Sequence, residues 1–310
     1  MFISVIIPTY NRLHILKKCL LALEKQQESK LYEGYEILVV DDGSTDGTIN
    51  FLQNEATYLS HVQLIKQDHA GPGVARNNGV SSAIGDVIIF IDSDLIVTKT
   101  FLSSHAKALL QTWAKSNNHL CFTYGAVINT ANFSNPTSER HKLRDISWAY
   151  FATGNVAIDK ATLLKAGLFD PAFKLYGWED LELGERLRLM GVKLIKCPAA
   201  VGYHWHPSLT LNQVPDLIRI EKERAKMALT FYLKHPTFRV RLITQFTCLH
   251  RLLWEVLTLG GIVNIDKLRP LLTILIKNGH AGVAMEILRI PLNLICVREI
   301  YRQAFRLGIR

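Results

Sequence analysis

Apolar and polar positions along the chain fall into two regimes. In the first hundred residues, short continuous apolar runs alternate with stretches of helical period. Ile3–Ile7, closed by Pro8, has the β-branched character of a strand buried on both faces. Leu13, Leu16, Leu20 and Leu23 then share one stripe of a helix predicted to reach Gln27. Strands are predicted over Glu36–Val40, Val62–Lys66 and Val87–Ile91, with helices over about Thr48–Glu55 and from Gly71-Pro72-Gly73 onward. This alternation predicts an α/β fold with a mainly parallel, doubly wound sheet flanked by helices. Ligands of such sheets bind beyond the carboxyl ends of the strands. Three polar clusters fall there: Thr9-Tyr10-Asn11-Arg12, Asp41-Asp42 and Asp92-Ser93-Asp94.

From Phe101 to Pro207 the pattern loosens into a helix, a strand (Cys121–Ile128), a polar loop (Asn129–Glu139), a short strand and a further helix. After Pro215 the period is almost wholly helical, broken at Gly260-Gly261 and at several prolines. The predicted division is a body over 1–214, in halves 1–100 and 101–214, followed by a helical tail over 215–310.

Charge sharpens that division. The 310 residues carry a net charge of +9, and residues 215–310 hold all of it, with 16 Lys and Arg against 7 Asp and Glu. A neutral body and a basic tail point to different partners. Leu249, Leu252, Leu253, Val256 and Leu257 recur at helical spacing in the tail, as do Leu271, Leu272, Leu275 and Ile276. His250, Arg251, Glu255 and Lys277 interrupt them, so these segments suit an anionic membrane interface rather than a span. Packing on the body or on a second subunit is the alternative. Few aromatics are present to stack bases, which argues against nucleic acid. With 48% hydrophobic residues, wholesale disorder is excluded. The five cysteines form no C-x-x-C pair, and no leader-like or spanning run is present. The expectation is a cytoplasmic protein, peripheral on the cytoplasmic membrane face through its tail.

Two carboxylates two positions apart at the end of a buried strand, Asp92 and Asp94, suit a hard divalent cation such as Mg²⁺ or Mn²⁺. An Asx-turn capping the next helix explains them equally well. The doubled acid Asp41-Asp42 exceeds what its turn requires and could accept from a ribose or a base N–H. Arg76 and Asn77, in the first turn of a helix, would favour a diphosphate. Ala75, Gly79 and Ala83 form a small-residue stripe for packing on the sheet. Glu179 and Asp180 follow Gly177-Trp178 at a helix start, where a carboxylate could serve as a general base or merely suit the macrodipole. His204 and His206 share one face of an extended segment, and either could complete a mixed oxygen and nitrogen metal site with Asp94.

The order of these motifs closely resembles the family-two glycosyltransferases of the GT-A fold. The resemblance spans Phe2 to Pro207 and rests on Val5-Ile6-Ile7-Pro8-Thr9-Tyr10-Asn11-Arg12, Val39 to Thr48, Gly73-Val74-Ala75-Arg76-Asn77 and Ile91-Asp92-Ser93-Asp94. Gly154-Asn155, Gly167-Leu168-Phe169-Asp170 and His204 look like that family's acceptor half. Gly177-Trp178-Glu179-Asp180 is similar to the catalytic segment of β-1,4-galactosyltransferases and chondroitin polymerases. The resemblance implies a metal-dependent, inverting, single-addition transfer from a nucleotide-sugar, expected to be UDP-linked, to a glycan or lipid-linked acceptor. It implies donor contacts from Pro8, Thr9, Asn11, Arg12, Asp42, Arg76, Asp92 and Ser93, with Asp42 reading the uracil edge. Acceptor contacts would come from Gly154, Asn155 and Trp178. Asp94 and His204, or less expectedly His206, would hold Mn²⁺ or Mg²⁺, and Asp180 would be the base beside Glu179. The Gln-x-x-Arg-Trp signature of processive members is absent. The alternative is an inactive module of the same fold that binds nucleotide-sugar or membrane.

Overall fold

The computed structural model describes residues 1–116, 118–140 and 149–309, which divide into two compact units. The first holds residues 1–171 and 179–206. Its eight-stranded sheet has the order β3-β2-β1-β4-β7-β6-β8-β5. The strands are β1 (Phe2–Thr9), β2 (Gly34–Asp41), β3 (Val62–Lys66), β4 (Val87–Ile91), β5 (Leu95–Val97), β6 (Cys121–Thr130), β7 (Asn155–Asp159) and β8 (Lys193–Trp205). Parallel pairing is concentrated in β3-β2-β1-β4 and recurs between β6 and β8, while β7 is antiparallel to both neighbours and β5 to β8.

The continuous apolar runs follow from burial on both faces. Ile3, Val5 and Ile7 of β1 pack with Leu16, Leu20 and Leu23 of α1 (Leu13–Glu24) and with Phe101 and Leu109 of α4 (Phe101–Ser116). Ile6 lies in the opposite layer with Ala75 and Val80 of α3 (Pro72–Ser82) and with Leu183 and Leu187 of α6 (Glu179–Leu189). Gly79 is needed for the approach of α3, because a Cβ there would fall 2.5 Å from Ile6 Cγ2. The helix expected to Glu55 is α2 (Thr48–Asn50), continued by a wider π-helical turn over Phe51–Glu55. A short α5 (Lys160–Lys165) follows β7.

The second unit holds residues 172–178 and 207–310 and is helical: α7 (Val214–Lys234), α8 (Phe238–Ile243), α9 (Cys248–Leu257), α10 (Ile265–Lys277) and α11 (Ala281–Arg306). Thr237, Thr247 and Asn264 cap α8, α9 and α10 by accepting from the third backbone N–H beyond them. The long α11 packs on α7, α9 and α10. Leu272 of α10 joins Val214, Ala284, Leu288 and Leu292 in one core. The segment 172–178 is pinned to this unit by Trp178, whose indole N–H donates to the Arg224 carbonyl at 2.8 Å beneath that residue's guanidinium. No helix among the described residues is long and apolar enough to cross a membrane.

Candidate active site

The order β2-β1-β4 brings the three polar clusters to one edge of the sheet. The loops there are tied to one another. Asn11, at a left-handed φ of 52°, accepts from Thr45 N on its side-chain oxygen (2.7 Å) and donates its own backbone N–H to Ser44 Oγ (2.9 Å). Asp46 accepts from Leu13 N at the start of α1 and from Thr48 N and Oγ1 at the start of α2. Burial pushes the Asp46 carboxyl up, but these donors hold it below its ordinary value.

Asp41 and Asp42 differ in their fates. Asp41 Oδ1 accepts from Gly43 N and Ser44 N, and its Oδ2 is buried without a donor. Asp42 is saturated by the loop 67–71: it accepts from Gln67 Nε2 (2.7 Å), Ala70 N (2.8 Å) and Gly71 N (3.0 Å), and His69 Nδ1 lies at 2.9 Å. Asp42, expected to read a base edge, thus has its carboxylate already engaged by its own chain. In this conformation it anchors a loop, and a ligand N–H would have to displace one of these donors. Above it, exposed Tyr10 stacks on His69 at 4.3 Å, a pairing that the separation of 59 positions hides from a local reading. The buried Thr9 hydroxyl has no partner, and Pro8 sits beside it on β1, opposite Val40.

Asp94 is buried and meets a different set of neighbours. The antiparallel register of β5 and β8 places Leu95 opposite His204, and Trp205 N donates to the Asp94 carbonyl. His204 Nε2 lies 2.8 Å from Asp94 Oδ1, yet that oxygen has no donor aligned for a hydrogen bond. The His206 ring, one residue beyond β8, lies 4.0 Å from that of His204, and its backbone N–H donates to the Thr130 carbonyl at the end of β6. One ligand atom each from Asp94, His204 and His206 falls within 4.8 Å of the others. A buried oxygen without an aligned donor, facing two imidazoles, fits a divalent cation of the Mn²⁺ kind. Burial pushes the Asp94 carboxyl up, and His204, Arg12 and His206 more than offset it. Burial with the neighbouring His204 drives His206 down to about 4, leaving it neutral and able to ligate at neutral pH. Arg12, half-exposed, closes a salt bridge to Asp94 Oδ2. Ser93 is buried between the two acids.

Arg76 links the donor side to the start of α6. Its buried guanidinium lies 3.2 Å from Asp92 Oδ1 and 3.2 Å from Glu179 Oε1. Asp180 keeps a partly exposed edge, and its only described hydrogen bond comes from Leu181 N at 2.7 Å. Burial, then the charge of Glu179, raise its carboxyl from 3.8 to about 7, against the opposing pull of Arg76. Gly154 lies against Asp92: a Cβ there would be 3.1 Å from Asp92 Oδ2.

Two expected acceptor contacts are placed elsewhere. Asn155 is fully buried, its amide donating to the Ala126 and Ala200 carbonyls while its Oδ1 faces His105 Nε2 at 2.9 Å. That side chain ties β6, β7 and β8 together and is not offered to a ligand. His105, inside this network, is pushed by burial down to about 4 and stays neutral. Trp178 is committed to α7 in the second unit.

The curled sheet with helices on both faces, and carboxylates at its carboxyl edge, defines the GT-A class of nucleotide-dependent fold. Residues 4–160 match the profile described as Glycosyl transferase family 2. The chain belongs to that family. It is 26% identical over 242 residues to chondroitin synthase of Pasteurella multocida, covering 66% of this chain and 25% of that protein. The chain spans from a quarter to about two thirds of the length of the curated relatives it matches first. Among solved structures it resembles the mannosyltransferase PcManGT of Pyrobaculum calidifontis with GDP-Man and Mn²⁺, at TM-score 0.61 and 18% identity, covering 96% of this chain and 85% of that one. It also resembles S. aureus TarS residues 1–349 with UDP-GlcNAc, at TM-score 0.56 and 17% identity, covering 100% and 93%.

Proposed function

We propose that this chain transfers a sugar from a nucleotide-sugar, with UDP as the carrier, to an acceptor hydroxyl with inversion, one residue at a time, in glycan synthesis. The observation that carries the reading is Arg76, whose single guanidinium joins Asp92 at the donor edge to Glu179 beside Asp180. The side chains read here as serving the nucleotide and the acceptor are thereby joined through one guanidinium.

In this reading Pro8, Thr9, Asn11 and Asp42 shape the nucleoside pocket, and Arg12, Arg76, Asp92 and Ser93 line the sugar-diphosphate. Asp94, His204 and His206 would hold a divalent cation, which neutralises charge on the departing diphosphate. Asp180 accepts the acceptor hydroxyl's proton while that oxygen bonds to the anomeric carbon. The bond from that carbon to the diphosphate oxygen breaks on the opposite face, and the nucleoside diphosphate leaves with the electron pair. Glu179 keeps Asp180 basic through its charge and fixes Arg76. All of these residues lie within 1–214, and the basic segment 215–310 is an appendage with its own partner.

The support is the convergence of Asp94 with two histidines, the raised Asp180 carboxyl, and likeness to enzymes solved with nucleotide-sugars. GDP-Man in one and UDP-GlcNAc in the other make the base worth testing. A panel of UDP- and GDP-sugars, each with Mn²⁺ and acceptor glycans, should release UDP from one donor. Release of GDP instead would correct the base, and no release from any donor with any acceptor would leave a binding module.

A further inference from the structure

Helix α9 is amphipathic with its apolar side turned outward. Leu249, Leu252, Leu253 and Val256 recur at intervals of three and four, and are 69%, 63%, 44% and 61% exposed. None of its residues is buried. Its inward side is marked by Trp254, whose indole N–H donates to Gln245 Oε1 at 2.7 Å. A helix of a globular domain normally turns such a stripe toward the core, as α10 does with Leu272.

The apolar surface continues into the turn after α9, where Leu259 and Ile262 are 63% and 60% exposed. Leu259, Gly260 and Gly261 are all left-handed there, with φ of 49°, 68° and 90°. A leucine in that conformation is costly and gains no burial within the chain. On the following helix, Lys267, Arg269 and Lys277 are exposed and have no carboxylate partner among the described residues. Of the nearby acids, Glu255 is paired with Arg298, Glu286 with Arg289 and Glu299 with Arg302, while Asp266 in the first turn of α10 is exposed and offsets one of these three cations.

We propose that α9, the turn 258–262 and the exposed cations of α10 form a docking surface for an anionic lipid bilayer. The leucines enter the boundary between headgroups and acyl chains, and the cations meet the headgroups. Charge selects this occupant. An interface between two copies of this chain would repeat the same unpaired cations on both sides, whereas an anionic leaflet supplies their counter-charge. The absence of a spanning helix among the described residues agrees with a surface that lies in the interface.

Sedimentation of the full chain with phosphatidylglycerol-containing vesicles and with phosphatidylcholine vesicles, at low and high salt, tests this. The chain should pellet with the anionic vesicles at low salt and be released by high salt. Replacing K267, R269 and K277 together by Gln should weaken binding roughly fivefold per cation, about a hundredfold in all. L249S/L252S/V256S should abolish binding with an unchanged melting temperature, because the three side chains are exposed. Wild-type chain left in the supernatant with anionic vesicles at low salt would overturn the proposal, as would unaltered binding by the serine variant. Self-association in analytical ultracentrifugation that this variant removes, without vesicle binding, would assign the face to a second copy instead.

Discussion

Asp42 lies just beyond β2 and Asp94 in the turn between β4 and β5, with β1 between the two parallel strands, and each is preceded by another polar residue. Their surroundings are opposite. Asp42 is saturated by three hydrogen bonds and a histidine from one loop of its own chain. Asp94 has an oxygen without an aligned donor, between two imidazoles and beside Arg12. A buried carboxylate that the chain itself satisfies holds structure in place, and one left under-satisfied is held ready for something else. Asp180 belongs with Asp94, since it has one described donor and a carboxyl pushed up to about 7.

Removing the under-satisfied groups should cost activity more than stability. The largest effect is expected for Asp180→Asn, which should lower kcat by about 10²–10⁴-fold while nucleotide affinity, measured by calorimetry, stays within a few fold. The same group sets the pH profile. Turnover needs the ionised carboxylate, so kcat/KM should rise with pH through about 7. Stability should move the other way. A carboxyl raised from 3.8 to about 7 stabilises the fold below the lower value and loses that contribution as pH rises through the upper one. Asn at 180 is neutral throughout, so the variant's melting temperature should lack this fall.

Asp42→Ala should reverse the pattern. With its buried donors unsatisfied, the fold should lose about 2–4 kcal/mol, read as a lowered urea midpoint. Residual turnover per folded molecule should stay well above that of Asp180→Asn. An Asp42 variant as stable as wild type would remove the basis for separating the two strand ends.

The smallest effect is expected from Glu179→Gln. Removing that charge takes away a raising influence on Asp180, so the apparent pKa of the activity limb should fall by less than about one unit. A limb that stays in place would mean that burial alone sets it.

The local parts of this arrangement were legible in the sequence. Val62–Lys66 and Val87–Ile91 are strands with the predicted bounds: Val87–Ile91 is a β-branched run buried at every position, which leaves little choice, while Val62–Lys66 forms the edge strand beside β2 with no fully buried residue. The placing of polar clusters at strand ends followed from the α/β alternation alone. What was not legible depends on distant partners. The saturation of Asp42 comes from residues 67–71, 25 or more positions away. The three-residue β5 is too short to carry a period, and β8 pairs with β6 across a register shift after Gly125 that breaks its alternation. Asn155 is expected as an acceptor contact through the resemblance of Gly154-Asn155, whereas its amide is bonded to carbonyls of two other strands, which no local pattern announces. The two apolar runs of the tail read alike, yet Leu272 of one is buried while the stripe on α9 is exposed. Spacing defines a face but not what covers it.

In the proposed function Asp94, unlike Asp42, is kept for a cation that nucleotide binding requires. Calorimetric titration of UDP into the wild-type chain and into Asp94→Ala, each with Mn²⁺ and with chelator, tests it directly. Mn²⁺ should tighten UDP binding to the wild type by at least about tenfold, roughly 1.4 kcal/mol, and have no effect on Asp94→Ala. UDP affinity that is the same with Mn²⁺ and with chelator in the wild type would contradict it.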